Sequence, residues 1–399
     1  MMKLSIHEGD FKNKRVLMRV DFNVPIQDSV ILDDTRIRAS LPSILHILDQ
    51  GGSLILMSHL GRPKGNGPES SFSLQPIRKI LEELLGRPVL WAIDCIGDEV
   101  TKQVAALSSG QVLLLENLRF YAGEEKPETD PSFAKALAAL GDLYVNDAFG
   151  TAHRKHASTY FVPQLFPGKS FAGFLMMKEV EFLGNALSQP KRPFYSVVGG
   201  AKIQSKIGVV KSLLDKANGL ILGGGMAYPF LKVQGFNIGK SLCDIATLPL
   251  AEEILREAER KKVELVLPVD AIVATDIEAT STQVISFSRG IPNELEAFDI
   301  GPESLALFSK TLAKAATVFW NGTVGVYEKA PFAHGSLSLA KIISELSAIS
   351  VVGGGDAGAV VAIAGLSDKI THLSTGGGAS LEYIELGTLP GLEVLSDRN

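Results

Sequence analysis

Cysteine is scarce in this sequence of 399 residues, and the two cysteines, Cys95 and Cys243, lie far apart without a CxxC pair. This spacing argues against a disulfide scaffold and against a cysteine-rich zinc site. No apolar run approaches the roughly 20 residues that a membrane span needs, and the first residues lack the apolar core of a signal peptide. We therefore expect a cytoplasmic protein that has no membrane partner.

An excess of positive charge is also absent, because the formal net charge is −5 at pH 7. This charge argues against a nucleic-acid partner that binds through overall electrostatic attraction. The hydrophobic and charged fractions, 46% and 21%, are typical of a folded globular chain and not of a disordered one. The length exceeds what one hydrophobic core supports and predicts two α/β domains of similar size.

Short apolar runs recur along the chain, each followed by glycine or polar residues and then by a helical pattern. Near-continuous runs of this kind predict strands that are buried on both faces, and their alternation with helices predicts parallel sheets. The predicted strands are 15–20, 53–58, 112–117 and 143–148 in the first half, and 194–198, 219–222, 263–269, 317–320, 349–352 and 370–374 in the second. The fold class is therefore α/β, with two Rossmann-like domains, each a parallel sheet covered by helices.

A helical pattern separates the two halves of the chain. One of its faces carries apolar residues at helical spacing, namely Met176, Val180, Leu183 and Leu187. Pro190 ends the pattern. We predict an N-terminal domain over 1–172, a connecting helix and hinge over 173–190, and a C-terminal domain over 191–387. From the pattern alone, an ordinary packing helix is an equally good interpretation.

Charged and amide side chains follow the predicted strands of the first half. Ligands of open parallel sheets bind beyond the carboxyl ends of the strands, so these positions are candidate site residues. They are Asp21, Asn23, Arg36, His59, Arg62, Arg119, Asp147 and Arg154. Arginine presents a fork that matches phosphate or carboxylate oxygens, so this set predicts a small, highly anionic substrate.

Glycine dominates the corresponding positions of the second half: 199–200, 223–225, 353–355 and 376–378. Glycine lets backbone N–H groups approach phosphates closely, and a following helix adds its positive dipole end. Asp356 adds a carboxylate, and oxygen ligands together with phosphates suit Mg²⁺. Lys202 and Lys206 share one side of a helix directly after such a glycine pair. Taken singly, each glycine run is explained equally well as a tight turn or a helix cap.

A dinucleotide-binding oxidoreductase is the alternative function. Gly353, Gly355 and Gly358 satisfy GxGxxG after a predicted strand. The next predicted strand, however, ends without the Asp or Glu that would bind a ribose in that motif. Turnover of NAD(H) would distinguish this alternative.

Several segments resemble, in order, the signatures of the phosphoglycerate kinase family: RVDFNVP, SHLGRP, ENLRF, NDAFGTAHR, GGAKIQSKI, ILGGGMAY, WNGTVGVYE, GGGD and HLSTGGGASLE. The resemblance implies reversible phosphoryl transfer from 1,3-bisphosphoglycerate to ADP, giving 3-phosphoglycerate and ATP in glycolysis. It also implies Mg²⁺ as the metal, a monomeric chain, and closure of the two domains around the substrates. No general base is expected, because a carboxylic acid with a pKa of roughly 4 is already ionised at neutral pH.

The resemblance also implies two sets of site residues, one on each domain. The phosphoglycerate would be bound by Asp21, Phe22, Asn23, Arg36, His59, Leu60, Gly61, Arg62, Arg119 and Arg154. The nucleotide would be bound by Lys202, Lys206, Gly224, Gly225, Asn321, Glu328, Gly353, Gly354, Gly355 and Asp356, with Asp356 at the Mg²⁺. Arg36, Lys202 and Gly377 would act on the transferring phosphoryl group. Residues 388–399 would return to the N-terminal domain.

Three positions depart from the family's usual pattern. Thr323 stands where proline is usual, Ala357 where serine or threonine is usual, and Ala297 where glycine is expected. These departures bear on nucleotide affinity and leave open a second alternative, a non-catalytic binding protein that has kept the fold. An assay for ATP formation decides between the two.

Overall fold

The computed structural model describes residues 3–185 and 189–398, which divide into two compact units. Unit 1 runs up to Val180 and resumes at Thr388, and unit 2 spans Glu181–Gly387. The predicted connecting segment, 173–190, forms an α-helix at Phe174–Val180 and a π-helix at Glu181–Asn185. Its part at 186–188, which includes Leu187, lies outside the described residues. The action of this segment as a hinge stays a prediction.

Unit 1 contains a parallel sheet with the strand order β5-β6-β4-β1-β7-β8, and a separate hairpin of β2 and β3. Its strands are β1 Arg15–Arg19, β2 Ile26–Gln27, β3 Val30–Ile31, β4 Ser53–Met57, β5 Val89–Trp91, β6 Val112–Leu114, β7 Leu143–Asn146 and β8 Ser170–Ala172. Its helices before the domain boundary are α1 Thr35–Asp49, α2 Gln75–Leu85, α3 Asp98–Ala105, α4 Ala122–Glu125, α5 Pro131–Ala138, α6 Val162–Gln164 and α7 Phe174–Val180.

The core of unit 1 follows from the apolar patterns of its strands and helices. β1 pairs with β4 in a parallel register that sets Val16 beside Leu54, and both side chains are fully buried. α1 contributes Ile37, Ile44 and Ile47 at helical spacing to the same core. Because each buried strand fixes the start of the loop that follows it, the sheet gathers the residues after β1, β4, β6 and β7 at one edge.

Unit 2 contains a parallel sheet with the strand order β11-β10-β9-β15-β16-β17 and an antiparallel sheet with the order β13-β12-β14. Its strands are β9 Phe194–Val198, β10 Gly219–Leu222, β11 Glu264–Val266, β12 Asp270–Ala274, β13 Gln283–Ser286, β14 Glu296–Ile300, β15 Thr317–Asn321, β16 Ile349–Gly353 and β17 His372–Leu373. Its helices are α8 Ile207–Lys216, α9 Tyr228–Val233, α10 Leu248–Lys261, α11 Pro302–Leu312, α12 His334–Glu345, α13 Gly355–Ile363 and α14 Gly378–Leu386.

The predicted α/β class with two parallel sheets is confirmed, and the antiparallel sheet of unit 2 is an addition to it. The predicted strand 263–269 is shorter in the structure, where β11 ends at Val266. Pro268 follows and lacks the N–H that a ladder requires, so the chain leaves the parallel sheet there. The antiparallel strand β12 begins two residues later, at Asp270.

The segment after Gly387 belongs to unit 1. It contains α15, Pro390–Glu393, whose Gly391 N–H donates to the carbonyl of Ala152 at 2.8 Å. The Leu4 N–H donates to the carbonyl of Ser396 at 2.8 Å, and Lys3 forms an antiparallel bridge with Asp397. Residue 399 lies outside the described residues.

In the part of the chain that the structure describes, no helix combines the length and the apolar composition that crossing a membrane requires.

Candidate active site

Arg36 and Asp21 form the centre of a charged cluster on unit 1. The Arg36 guanidinium donates to Asp21 Oδ2 at 3.0 Å and to the carbonyl of Asn23 at 3.3 Å. Asn23 Oδ1 in turn accepts the Gly61 N–H at 2.9 Å, which ties the loop after β1 to the loop after β4. The Arg36 side chain remains 35% exposed. Asp21 therefore positions a guanidinium that is still open to a ligand.

Arg119 lies beside this cluster, in the 3₁₀ helix Leu118–Phe120 that follows β6. It donates to the carbonyl of Gly61 at 2.8 Å and contacts Glu125 at 3.0 Å, and Arg154 approaches the same carboxylate at 4.0 Å. Arg119 is only 5% exposed, and its Nε is buried without a hydrogen-bond partner among the described residues. Because leaving a buried donor unsatisfied costs free energy, this nitrogen is suited to meet an anion.

The histidines of the cluster are neutral. Burial lowers the pKa of His59 well below its ordinary value, and the charges of Arg19 and Arg119 add to this effect. Burial also lowers the pKa of His156 to about 3, again with nearby arginines contributing. The positive charge of the cluster therefore comes from guanidinium groups, which hold it at any physiological pH. His156 was not predicted, although it lies close to Arg154 in the sequence.

A buried network beneath the cluster was also missed by the sequence analysis. Arg19 is 1% exposed; its Nε donates to Ser158 Oγ at 2.8 Å, and a terminal nitrogen lies 3.1 Å from His59 Nδ1. Ser158 donates to the Glu124 carboxylate through its hydroxyl at 2.6 Å and its N–H at 2.9 Å. The sequence signal was Arg19, an arginine that directly follows the apolar residues Val16, Leu17 and Met18 in β1. The network fixes the imidazole of His59 from behind.

The remaining predicted residues of unit 1 frame the cluster. The Phe22 N–H donates to Ser58 Oγ at 2.9 Å, and the Leu60 carbonyl accepts from Asn117 Nδ2 at 2.8 Å. Both Phe22 and Leu60 are buried, so they shape the loops and do not present side chains to solvent. Arg62 is exposed.

Lys206 is the centre of the corresponding site on unit 2. Its ammonium donates to the carbonyl of Gly199 at 2.6 Å and to Asn321 Oδ1 at 2.7 Å, and Asn321 Nδ2 donates to the carbonyl of Gly353 at 2.8 Å. Burial lowers the pKa of Lys206 to about 8, with the Asp356 carboxylate opposing the shift. The lysine thus joins the turns after β9, β15 and β16. Its ammonium is hydrogen-bonded by uncharged oxygens, and the Asp356 carboxylate interacts with it electrostatically.

A cleft of about 330 Å³ opens beside these turns. Its lining includes seven residues that were predicted from the sequence or noted there as a departure: Gly200, Gly224, Gly225, Ala297, Thr323, Glu328 and Asp356. Gly224 has a φ of 67°, and a Cβ there would lie 2.9 Å from two backbone oxygens, so this part of the wall requires glycine. The lining residues that sequence reasoning missed include Tyr228, Leu242, Ile277, Phe298 and Val326. Apolar side chains carry no chemical signal that separates a ligand contact from core packing.

The other predicted residues of unit 2 surround the cleft. Lys202 is exposed and lines a neighbouring depression with Gln204 and Cys243. Gly355 begins α13, and Gly377, with a φ of 54°, directly precedes α14. Both glycine runs therefore place a helix N-terminus after a strand of the sheet, where backbone N–H groups and the helix dipole favour an anion.

Asp356 is the carboxylate that fits a divalent metal. Within the described ranges, no three His, Cys, Asp or Glu side chains group together in a way that could hold a metal ion. Asp356 instead lines the cleft as an exposed group in the first turn of α13. One carboxylate supplemented by phosphate oxygens and water is the ligand set that suits Mg²⁺.

Comparisons with known proteins agree in one family. A profile of the family described as phosphoglycerate kinase matches residues 6–386. The chain is 54% identical to the phosphoglycerate kinase of Chlamydia pneumoniae over 398 residues, which is 99% of both chains. Its structure is similar to that of phosphoglycerate kinase from Coxiella burnetii, with a TM-score of 0.87 and 39% identity over 98% of both chains. The enzyme from Pyrococcus horikoshii gives a TM-score of 0.86 and 33% identity, again over 98% of both chains.

Proposed function

The chain belongs to the phosphoglycerate kinase family, and we propose that its two units each bind one partner of that family's reaction. It is a phosphotransferase with a carboxyl group as acceptor, and it acts in glycolysis. The reaction is the reversible transfer of a phosphoryl group from 1,3-bisphosphoglycerate to ADP, which gives 3-phosphoglycerate and ATP. The assignment of one substrate to each unit rests on one observation: guanidinium groups cluster on unit 1, and a glycine-lined cleft lies on unit 2.

The phosphoglycerate binds to the cluster of unit 1. Arg62, Arg119 and Arg154 hold its phosphate, and this is supported by the Nε of Arg119, which has no hydrogen-bond partner among the described residues. Asp21 and Asn23 meet its hydroxyl and carboxylate. A guanidinium matches a phosphate or carboxylate with two parallel hydrogen bonds, so the cluster selects a doubly anionic molecule.

The nucleotide binds in the cleft of unit 2. Gly224 and Gly225 lie beside the adenine, Glu328 binds the ribose, and Lys206 and Asn321 hold phosphate oxygens. The turn at 353–355 contributes N–H groups to the same phosphates. This placement is supported by the volume and lining of the cleft and by the ammonium of Lys206, which is held by uncharged oxygens of Gly199 and Asn321.

The transfer step needs charge stabilisation and no general base. The carboxylate of 3-phosphoglycerate has a pKa of roughly 4 and is already ionised at neutral pH. Arg36, Lys202 and the Gly377 turn neutralise the charge on the transferring phosphoryl group, because such reactions depend on positioning and electrostatics. Since the two substrates bind on different units, transfer requires closure of the units, which also excludes water from the acyl phosphate.

Mg²⁺ is the metal of this reaction, and Asp356 is the residue that holds it. When bound, the ion neutralises nucleotide phosphate charge. The lone carboxylate at the start of α13 is the observation that supports this assignment. We further propose that the enzyme acts in the cytoplasm as a monomer, without a nucleic-acid or membrane partner.

A coupled assay for ATP formation from 1,3-bisphosphoglycerate and ADP tests this function. We expect turnover that requires both substrates and Mg²⁺. ADP binding without ATP formation would instead indicate a non-catalytic binding protein. Turnover of NAD(H) would indicate the oxidoreductase suggested by Gly353, Gly355 and Gly358.

A further inference from the structure

Glu296 is a carboxylate in the nucleotide cleft that the reaction leaves without a role. Its neighbours in the lining, Glu328 and Asp356, are assigned above to the ribose and to Mg²⁺. Glu296 is the first residue of β14, and it lines the same cleft as Gly224 and Gly225, which are proposed above to lie beside the adenine. A charged side chain at this point of the cleft is therefore placed near the base and not near the phosphates.

The apolar part of the lining gives independent support for this placement. Leu242 and Ile277, which line the same cleft, are 44% and 41% exposed, and Phe298 lines it with them. Apolar side chains of this kind suit the flat faces of a purine.

The Glu296 carboxylate is an unused acceptor. Burial raises its pKa, and no donor among the described residues hydrogen-bonds to it. The polar groups next to it are already paired, since the Ala297 N–H donates to Ser241 Oγ at 3.0 Å and the Tyr228 hydroxyl donates to the Ala297 carbonyl at 3.0 Å. A half-buried carboxylate without a donor carries a desolvation cost that an N–H of a ligand would offset.

We propose that Glu296 reads the base of the nucleotide by accepting a hydrogen bond from the 6-amino group of adenine. The inference rests on the proposed binding of ADP in the cleft of unit 2. The amino group is the hydrogen-bond donor on that edge of adenine, and the carboxylate is the free acceptor at the base end of the cleft. The other groups there offer apolar contact, which every purine satisfies equally. Glu296 is therefore the residue that gives the cleft its selectivity for adenine over other purines.

The test compares ADP with purine riboside 5′-diphosphate, which lacks the 6-amino group and is otherwise the same molecule. The value of kcat/KM is measured for both nucleotides in the wild type and in Glu296→Ala and Glu296→Gln. We expect the wild type to prefer ADP by roughly tenfold, the magnitude of one hydrogen bond to a charged group. Glu296→Ala brings the ratio close to one, mainly through KM. Glu296→Gln keeps an acceptor oxygen and part of the preference.

Glu294→Ala is the matched control, because Glu294 is an exposed glutamate two positions earlier in the chain. It retains the full wild-type ratio. An unchanged ratio in Glu296→Ala overturns the inference while leaving the kinase activity with ADP in place. Failure of the wild type to form ATP from ADP would instead overturn the proposed function. Near-UV circular dichroism shows whether Glu296→Ala folds. If it does not, the kcat/KM ratio of the two nucleotides in Glu296→Gln tests the inference. A ratio equal to that of the wild type would reject a hydrogen bond to the charged carboxylate.

Discussion

Arg36 is held by Asp21 and yet remains partly exposed, which suits a group that meets the transferring phosphoryl group. We expect Arg36→Ala to lower turnover by roughly 10³-fold, by analogy with arginine fingers. We expect the Kd for ADP to stay unchanged, because the proposed nucleotide site lies on unit 2. The coupled assay and isothermal titration calorimetry measure the two quantities.

Arg38→Ala is the matched control for this prediction. Arg38 lies on the same helix, α1, and its exposed guanidinium pairs with Asp34. This variant is expected to keep wild-type turnover. A loss of ADP affinity in step with turnover in Arg36→Ala would contradict the role assigned to Arg36.

The lowered pKa of Lys206 predicts a pH dependence for the proposed nucleotide site. Its pKa of about 8 means that the ammonium predominates below pH 8 and is lost above it. We therefore expect the Kd for ADP to rise as the pH increases from 7 to 9. Lys206→Arg flattens the profile, because a guanidinium stays protonated throughout this range. Calorimetric titrations at several pH values measure the effect.

Lys211→Ala is the control for the titration of Lys206. Lys211 lies on the neighbouring helix α8 and forms an ion pair with Glu253 at the surface. It is expected to reproduce the wild-type pH profile. A profile as steep in Lys206→Arg as in the wild type would assign the titration to another group.

The sequence predicted the residues that follow the strands. It did not predict which of these residues form hydrogen bonds with one another. The run RVDFN predicted Asp21 and Asn23 beside a ligand, but not that Asp21 holds Arg36 or that Asn23 accepts from Gly61. Arg19 was assigned to a strand, and its burial against Ser158 depends on a segment far away in sequence. Contacts between distant segments are set by the assembled fold and leave no local pattern.

At the scale of elements, long apolar runs in the sequence predicted strands correctly, whereas several of the shortest strands of the structure were not predicted. The runs at 53–58 and 194–198 became β4 and β9, each buried along its whole length. β5 and β8 have three residues each, and such segments are too short to show a period. β13 is partly exposed, and it is held as a strand by its pairing with β12.

Asp299 couples the antiparallel sheet of unit 2 to a helix. Its carboxylate, at the end of β14, accepts the Gly335 N–H in the first turn of α12 at 2.7 Å. Burial raises its pKa from 3.8 to about 7. Since the folded-state pKa lies above the unfolded value, the favourable contribution of the protonated form is complete below about pH 4 and is lost as the pH rises through 7.

We therefore expect the stability of the wild type relative to Asp299→Asn to fall between about pH 4 and pH 7 and to level off above. The side chain of the variant does not ionise, so its own stability lacks this dependence. Melting temperatures of both proteins across this range measure the difference. Asp368→Asn, at an exposed aspartate, is expected to track the wild type at every pH. A constant difference between wild type and Asp299→Asn would contradict the expectation.

At the scale of the whole molecule, the α/β class and the presence of two sheets were predictable from repeated strand–helix alternation. The resemblance to phosphoglycerate kinases implied the return of residues 388–399, which composition and periodicity did not indicate. In the structure, this segment contacts unit 1 through hydrogen bonds of Leu4 with Ser396 and of Gly391 with Ala152. Such contacts join residues that are hundreds of positions apart, so no local window of sequence contains them.

Removal of residues 390–399 tests the contribution of this segment. We expect unit 1 to lose stability, with its thermal transition lowered by several degrees, because backbone hydrogen bonds and the buried Leu392 and Leu395 are lost. The transition of unit 2 stays unchanged. Differential scanning calorimetry combined with limited proteolysis distinguishes the two.

Arg398→Ala is the control for the truncation. It removes one partly exposed ion pair with Glu8, and such pairs contribute roughly 1 kcal/mol or less. It is expected to leave both transitions nearly in place. A truncated protein with an unaltered transition of unit 1 would show that the returning segment does not stabilise that unit.

The bridge between Lys3 and Asp397 has a consequence for biosynthesis. On the ribosome, unit 1 lacks its final segment until the whole of unit 2 has been translated. The nascent chain therefore exposes an unfinished first domain while the second one emerges, although domains otherwise tend to fold in order of synthesis. Circular permutation that brings residues 388–398 ahead of Lys3 would remove this delay.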